Sequence, residues 1–377
     1  MPEHSHAIEI DVRSRLWAVT FSANGEYIVS GDDNGVRVWR AEDGKAMAAM
    51  TVGSINCLAV SKDGRWIAAG TNSNGLFVWD ATTYEQVLKH KDSTSIHAVD
   101  FSPDSTRLVS TSGCTATIWD VTNRKQIQTL DHIDTRPVLA AKYSPKGDRI
   151  ATATRASVRV WDSSDGRLLV EIPGGVIPCY NTGLVWFNNH LFVVSNNTIK
   201  QLDASTGSLV AEWPILDSNA YSCIVLPKYG QFIAYSTTDT VTFWCTSPRS
   251  QLATVRHIEN IRSIAFSPDD RFLAIGGEGG KLSIQSLSRI IDSMPSSRLQ
   301  PTFKEPDIEI GDAALAAWKH DQLENAQASL TTAITAAQYP IHHLLASRAL
   351  VRARLQLWDM ALIDAKMVLP VLFSHNH

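Results

Sequence analysis

Along the first three quarters of the chain, apolar residues come in short alternating bursts rather than at helical spacing. Val19 and Phe21, Val99 and Phe101, and Ile264 and Phe266 each stand two residues apart. That is the period of a strand turning one face to a core. Each burst runs into a cluster of turn formers, as from Ser22 to Gly25, from Ser102 to Asp104 and from Ser267 to Asp270, which predicts a hairpin. Seven residues after the aromatic position a second apolar run begins, at Ile28, Ile67, Leu108, Ile150, Ile233 and Leu273. It passes into small residues such as Ser30 and Gly31, or Ala151 to Ala153, which suit a crowded interior.

A third run ends on a tryptophan in most units, and a weaker fourth follows it, for example from Lys45 to Met50 and from Gln126 to Leu130. Aligning Leu202 and Gln285 with the tryptophans gives the series Trp39, Trp79, Trp119, Trp161, Leu202, Trp244, Gln285, with steps of 40, 40, 42, 41, 42 and 41 residues. Four strands repeated at that interval predict the blades of a β-propeller, seven of them. Unit 5, around Val185 to Ser195, has a shortened turn, and unit 7 supplies only three strands before the composition changes at Leu287. The stretch from His6 to Val12 precedes the first strand of unit 1. It is expected to complete blade 7 and so remove the largest exposed sheet edges.

Three Trp-Asp dipeptides, at Asp80, Asp120 and Asp162, together with the period and the Phe-Ser-Pro-Asp turns, resemble the WD-repeat family over residues 16 to 287. The resemblance implies tryptophans at positions 39, 79, 119, 161 and 244 buried for structural reasons. It also implies a buried Trp, Ser/Thr, His and Asp network in each blade. His132 and His257 stand near its histidine position and Asp33 and Asp239 near its acid, but no unit carries a complete set. Hydrophobic packing is therefore expected to carry more of the blade stability.

The expected organisation is an all-β seven-bladed propeller over residues 1–287, followed by a small all-α region. Residues 288–306 read as a linker because Pro295, Pro301 and Pro306 interrupt helix and central strand alike. Between 307 and 370 the apolar period becomes helical, through Ala313, Ala317, Leu323, Ala326, Leu330 and Ile334. The pattern recurs at an offset of 35, with Ala314 matched by Ala349 and Leu323 by Trp358. This is similar to two tetratricopeptide repeats, with 371–377 as a tail. In that family a groove for peptide C-termini uses Lys and Asn, where this chain has Gly311, Leu315 and Ser347. Arg348, Arg352 and Arg354 offer a basic contact surface instead, with Arg348 and Arg352 on one helix face.

Charge narrows the partners. Against 34 Lys+Arg stand 38 Asp+Glu, a formal net charge of -4, which gives no general attraction to nucleic acid or anionic membrane. Cys57, Cys114, Cys179, Cys223 and Cys245 are scattered and form no paired motif, which favours a reducing compartment, cytoplasmic or nuclear rather than secreted. No metal site is expected, because the histidines lack ligand spacing, and no cofactor. Gly276 to Lys281 looks like a phosphate cradle but has Ile275 and Leu282 where a P-loop needs Gly and Ser/Thr; a hairpin turn is expected there. No nucleophile elbow or Cys–His pair can be assembled, so no enzyme is expected.

What remains is a binding surface. In the resembled family, the residue after the first apolar position of each inner strand surrounds the channel mouth. Here those are Trp17, Asn56, His97, Leu139, Thr182 or Gly183, Ser222 and Arg262, with the turn residues Asp32 and Glu278 joining the rim. Trp and Arg dominate binding energies. The expected function is a non-catalytic scaffold or adaptor for other proteins or peptide segments, with no small-molecule substrate. The alternative is a substrate receptor of a cullin-type ubiquitin ligase, although the Trp-Asp dipeptides continue to Thr82, Thr122 and Ser164 and lack the Arg that such receptors often carry.

Overall fold

The computed structural model describes residues 8–292, except 74, 93, 133–135, 175–182, 196–197, 216–222, 228–229, 231 and 247–250. Its strands form seven four-stranded antiparallel sheets, six of them in plain sequence order. The first strands of the sheets are Leu16–Phe21, Ile55–Val60, Ile96–Phe101, Ala140–Tyr143, Leu184–Phe187, Ile224–Val225 and Ile261–Phe266. Each touches the first strand of the next sheet, and Ile261–Phe266 touches Leu16–Phe21. The sheets therefore stand in a closed ring, a seven-bladed all-β propeller with these strands innermost.

The register shows why the period is so regular. Ile28 faces Trp39, Ile67 faces Trp79, Leu108 faces Trp119, Ile150 faces Trp161, Leu191 faces Leu202, Ile233 faces Trp244 and Leu273 faces Gln285. One cross-strand pair thus recurs in every blade, even where the tryptophan is replaced. Trp39, Trp79, Trp119 and Trp161 are buried, whereas Trp244 is half-buried. The Trp39, Trp119 and Trp161 indoles donate to Ser30 Oγ at 2.8 Å, Ser110 Oγ at 2.8 Å and Thr152 Oγ1 at 2.7 Å. The network reaches a third member at Thr152, whose Oγ1 also lies 2.9 Å from His132 Nε2.

The core lies between blades rather than within them. One cluster joins Val109, Ile118 and Leu130 of blade 3 to Tyr143, Ile150 and Trp161 of blade 4. Such flat contacts need small residues in the second strand. A Cβ on Gly31 would stand 2.4 Å from the Ile55 side chain of the next blade, and one on Gly70 2.4 Å from that of Ile96.

The N-terminal strand Ile8–Asp11 pairs antiparallel with Lys281–Ser286 and becomes the outermost strand of blade 7. Ile10 and Val12 are buried beside Trp39 and Ile284, so closure rests on side-chain packing as well as on the ladder. At the other end the chain departs from the expected linker. Leu287–Asp292 is a helical turn, with Leu287 and Ile290 three residues apart and buried against Leu252 and Phe243 of blade 6. The remaining linker, the tetratricopeptide-like segment 307–370, Arg348, Arg352, Arg354 and the tail 371–377 lie outside the described residues.

Candidate rim site between blades 7 and 1

Four of the residues expected at the channel mouth share a local irregularity. In blade 1 the pairing passes from Leu16 opposite Asp32 to Ala18 opposite Gly31, leaving Trp17 without an opposite residue. The same skip leaves out Asn56 in blade 2 and Arg262 in blade 7, and a wider one takes in His97 in blade 3. A β-bulge re-aims the side chain it inserts. Repeated in these four blades, it turns the same repeat position away from the sheet in each.

Two of these residues meet. The Arg262 guanidinium lies 5.1 Å from the centre of the Trp17 ring, and that of Arg15 lies 5.4 Å from it. Both distances suit a cation–π contact. Glu278 Oε1 joins the two arginines, 2.8 Å from Arg262 Nη2 and 3.6 Å from Arg15 Nη2, and Asn260 Nδ2 donates to Glu278 Oε2 at 3.3 Å. On the other side the Trp17 indole donates to Asp33 Oδ1 at 2.7 Å, and Ser54 Oγ donates to the same oxygen at 3.3 Å. The Arg262 bond holds the Glu278 carboxyl below its ordinary range, ahead of an opposing contribution from burial. Two guanidiniums and two carboxylates thus frame a half-exposed indole whose orientation is fixed from both ends.

The other expected rim residues are placed differently. Asn56 is buried and donates to the Ile96 backbone carbonyl of the next blade at 3.2 Å. His97 is half-buried, and burial lowers its pKa. Leu139 is buried and precedes an inner strand that has no bulge. Thr182 and Ser222 lie outside the described residues. Asp32 is a correction: it is fully buried, accepts from Asn34 N at 2.6 Å and Gly35 N at 3.2 Å, and pairs with Arg37 Nε at 2.8 Å. A carboxylate so engaged in its own turn does not reach the rim. Its neighbour Asp33 takes that place. Asp33 is expected from the repeat near the turn acid and not on the rim, and Arg15, Asn260 and Ser54 carry no signal in the repeat. The bulge that aims Trp17 and Arg262 at them is a property of pairing, visible only in the ladder.

Among the described residues no group of three or more His, Cys, Asp or Glu is placed to hold a metal ion, and no helix is long and apolar enough to cross a membrane. The glycine hairpin from Gly276 to Lys281 is filled from within: Glu259 Oε2 accepts from Gly279 N at 2.9 Å and Lys281 N at 3.1 Å. The chain's own carboxylate sits where an anion would. The Trp-Asp aspartates are similarly engaged. Asp80 Oδ1 accepts from Thr82 N and Thr83 N, Asp120 Oδ1 from Asn123 N, and Asp162 Oδ1 from Ser164 N.

Comparison with known proteins fits this architecture. The model of the IFT122 first beta-propeller family matches residues 15–286. Autophagy-related protein 16 of Arabidopsis thaliana is 27% identical over 286 residues, covering 72% of this chain and 47% of that one. Protein LST8 homolog of Drosophila melanogaster is 31% identical over 130 residues (31% and 41% of the two chains), and WD repeat-containing protein 1 of Mus musculus 36% over 80 residues (20% and 13%). The matched stretches span less than half the length of each of these relatives.

Proposed function

Because the chain belongs to the IFT122 first beta-propeller family, a group of WD-repeat propellers, we propose that it is a non-catalytic interaction scaffold. It takes a peptide segment of a partner protein on the rim between blades 7 and 1. The observation that carries this reading is the fixed, half-exposed Trp17 ring, flanked by Arg15 and Arg262 and tied to Asp33. A large ring held in one orientation loses little freedom when it is covered, and Trp and Arg are the residues that most often anchor protein contacts. Nothing on this rim is arranged as a nucleophile with its base.

The rim is rigid for a physical reason: the residues beneath it belong to the packed inner strands of two blades. Leu16 and Val19 sit in the core cluster shared by blades 7 and 1. A partner is then met by a preformed surface rather than by a loop that must first be ordered. The basic segment at Arg348, Arg352 and Arg354 would supply a second contact and raise the effective concentration of two partners on one chain.

A peptide-display selection on the immobilised full chain tests the reading. The native chain should enrich a consensus that binds in solution, and Trp17→Ala should abolish that binding while the thermal transition stays in place. Peptides that bind native and Trp17→Ala chains alike would refute the rim as the site, and recovery of no consensus would refute peptide recognition.

A further inference from the structure

The circumference of the propeller is not uniform. The outermost strands of blades 4 and 5, Leu168–Pro173 and Leu209–Pro214, both begin with two exposed apolar residues: Leu168 and Leu169, then Leu209 and Val210. These four side chains are between 37 and 54% exposed. The outer strands of blades 1 and 3 expose only one large apolar residue each, Met47 and Ile127. The two pairs stand on the outer strands of neighbouring blades. A Cβ on Gly207, in the turn leading to Leu209, would stand 3.2 Å from Val170 and 2.9 Å from Ile172, so the blade 5 turn rests on the blade 4 strand. Leu168 is two residues from Val170 and Leu209 two from Gly207, about 7 Å of strand in each case. Exposed apolar pairs on two adjoining outer strands mark a contact site.

We propose that the segment 307–370 of this same chain docks on the outer wall of blades 4 and 5, covering Leu168, Leu169, Leu209 and Val210. Three observations select this occupant. The helical turn Leu287–Asp292 is packed in the seam between blades 6 and 7, touching the outer strand Gln251–Arg256 of blade 6, so the chain leaves the propeller one blade away from the wall in question. Residues 293–306 are 14 in number and span up to about 46 Å when extended, whereas packed sheets stand roughly 10 Å apart; two blades are within reach. Finally, 307–370 carries apolar residues at helical spacing, which need a surface to cover them.

Docking here leaves the rim between blades 7 and 1 open, so it is independent of the peptide site. It gives the outer wall the role of a cradle that holds the basic segment at a fixed place on the ring.

The test is limited tryptic cleavage of the full chain after Arg348, Arg352 and Arg354, compared with Leu168→Glu/Leu209→Glu. The propeller's thermal transition serves as the control for folding. Cleavage of a docked segment tracks its open population, and losing two buried leucine contacts should raise the rate by about tenfold or more. Leu169→Asn/Val210→Asn is the second variant, used if the first loses the thermal transition. Zero-length coupling of carboxylates to amines should also join Lys319 or Lys366 to Glu171 or Glu212, within one chain. Equal cleavage rates in native and variant chains would overturn the proposal. So would coupling or protection that rises with protein concentration, which would identify a second copy as the occupant.

Discussion

Ile10 lies directly across the ladder from Leu282, so a residue near the start of the chain completes the sheet built at the far end of the propeller. With Val12 it fills the seam between blades 7 and 1. Deleting residues 2–13 should therefore weaken the whole ring rather than one edge. Burial of Ile10 and Val12 stabilises by about 1.5–3 kcal/mol each, and at roughly 2–4 °C per kcal/mol the thermal midpoint should fall by about 10 °C. Calorimetry of the deletion variant checks this; an unchanged midpoint would remove the strand from the stability of the fold.

Gly31, Gly70 and Gly276 occupy the same place in blades 1, 2 and 7, opposite Ala18, Cys57 and Ser263. Their surroundings differ. A methyl at Gly31 or Gly70 meets a neighbouring isoleucine at 2.4 Å, whereas one at Gly276 meets Leu16 at an ordinary 3.5 Å. Gly31→Ala and Gly70→Ala should each cost about 1–3 kcal/mol through overpacking. Gly276→Ala should be neutral, or stabilising by about 0.4–1 kcal/mol through the unfolded chain. Denaturant melts of the three variants compare them directly.

Thr152 serves two buried groups, the Trp161 indole and the His132 ring. Thr152→Val keeps the shape and removes the shared hydroxyl, leaving both polar groups without it. The expected loss is about 2–3 kcal/mol, against about 1 kcal/mol for Ser110→Ala, which serves Trp119 alone. Equal losses in urea melts would mean that His132 gains nothing from Thr152.

Acid should act in two stages. Asp80, Asp104, Asp120 and Asp162 are held below the ordinary carboxylate range, chiefly by bonds from Thr83 N, the Ser102 hydroxyl, Asn123 N and the Ser164 hydroxyl respectively. A depressed carboxyl gives its stabilisation in full above its unfolded value, about 4, and loses it as pH falls through the folded value. His97 is depressed by burial; its neutral form is favoured in the fold, so it removes stability as pH drops below its unfolded value of about 6.5. Thermal midpoints should be flat above neutrality, decline gently below pH ~6.5 and steeply below pH ~4. His97→Gln should flatten the first decline and Asp80→Asn/Asp120→Asn the second.

At the rim, Trp17→Phe keeps a ring but loses the bond to Asp33. It should weaken a selected peptide less than Trp17→Ala, whose loss should reach roughly 30-fold or more if Trp17 is an anchor of ordinary strength. Isothermal titration of the three chains measures the series.

The blade register was legible in the sequence because it is a local matter repeated in each unit. The strand period, the turn residues and the aromatic or apolar partner of Ile28, Leu108 or Ile150 all fall within one blade. Leu202 and Gln285 could be aligned with tryptophans because spacing, not identity, fixes which residues face each other. The rim was legible only in part. The repeat position of Trp17 and Arg262 could be read, but not the bulge that lifts them out of the ladder, nor that the ring brings Arg262 and Glu278 against a residue of blade 1.

Asp32 and Asp33 show the division most clearly. In sequence they are equivalent, adjacent acids in one turn. In the folded chain Asp32, the last residue of its strand, is turned inward to its own turn's backbone and Arg37, and Asp33, the first residue of the turn, outward to Trp17. Sequence alone determined that seven like sheets would form, because that follows from local alternation and hydrophobic burial. Only tertiary structure decided which side chains converge where the ring closes, because those contacts join residues whose separation along the chain carries no local signal.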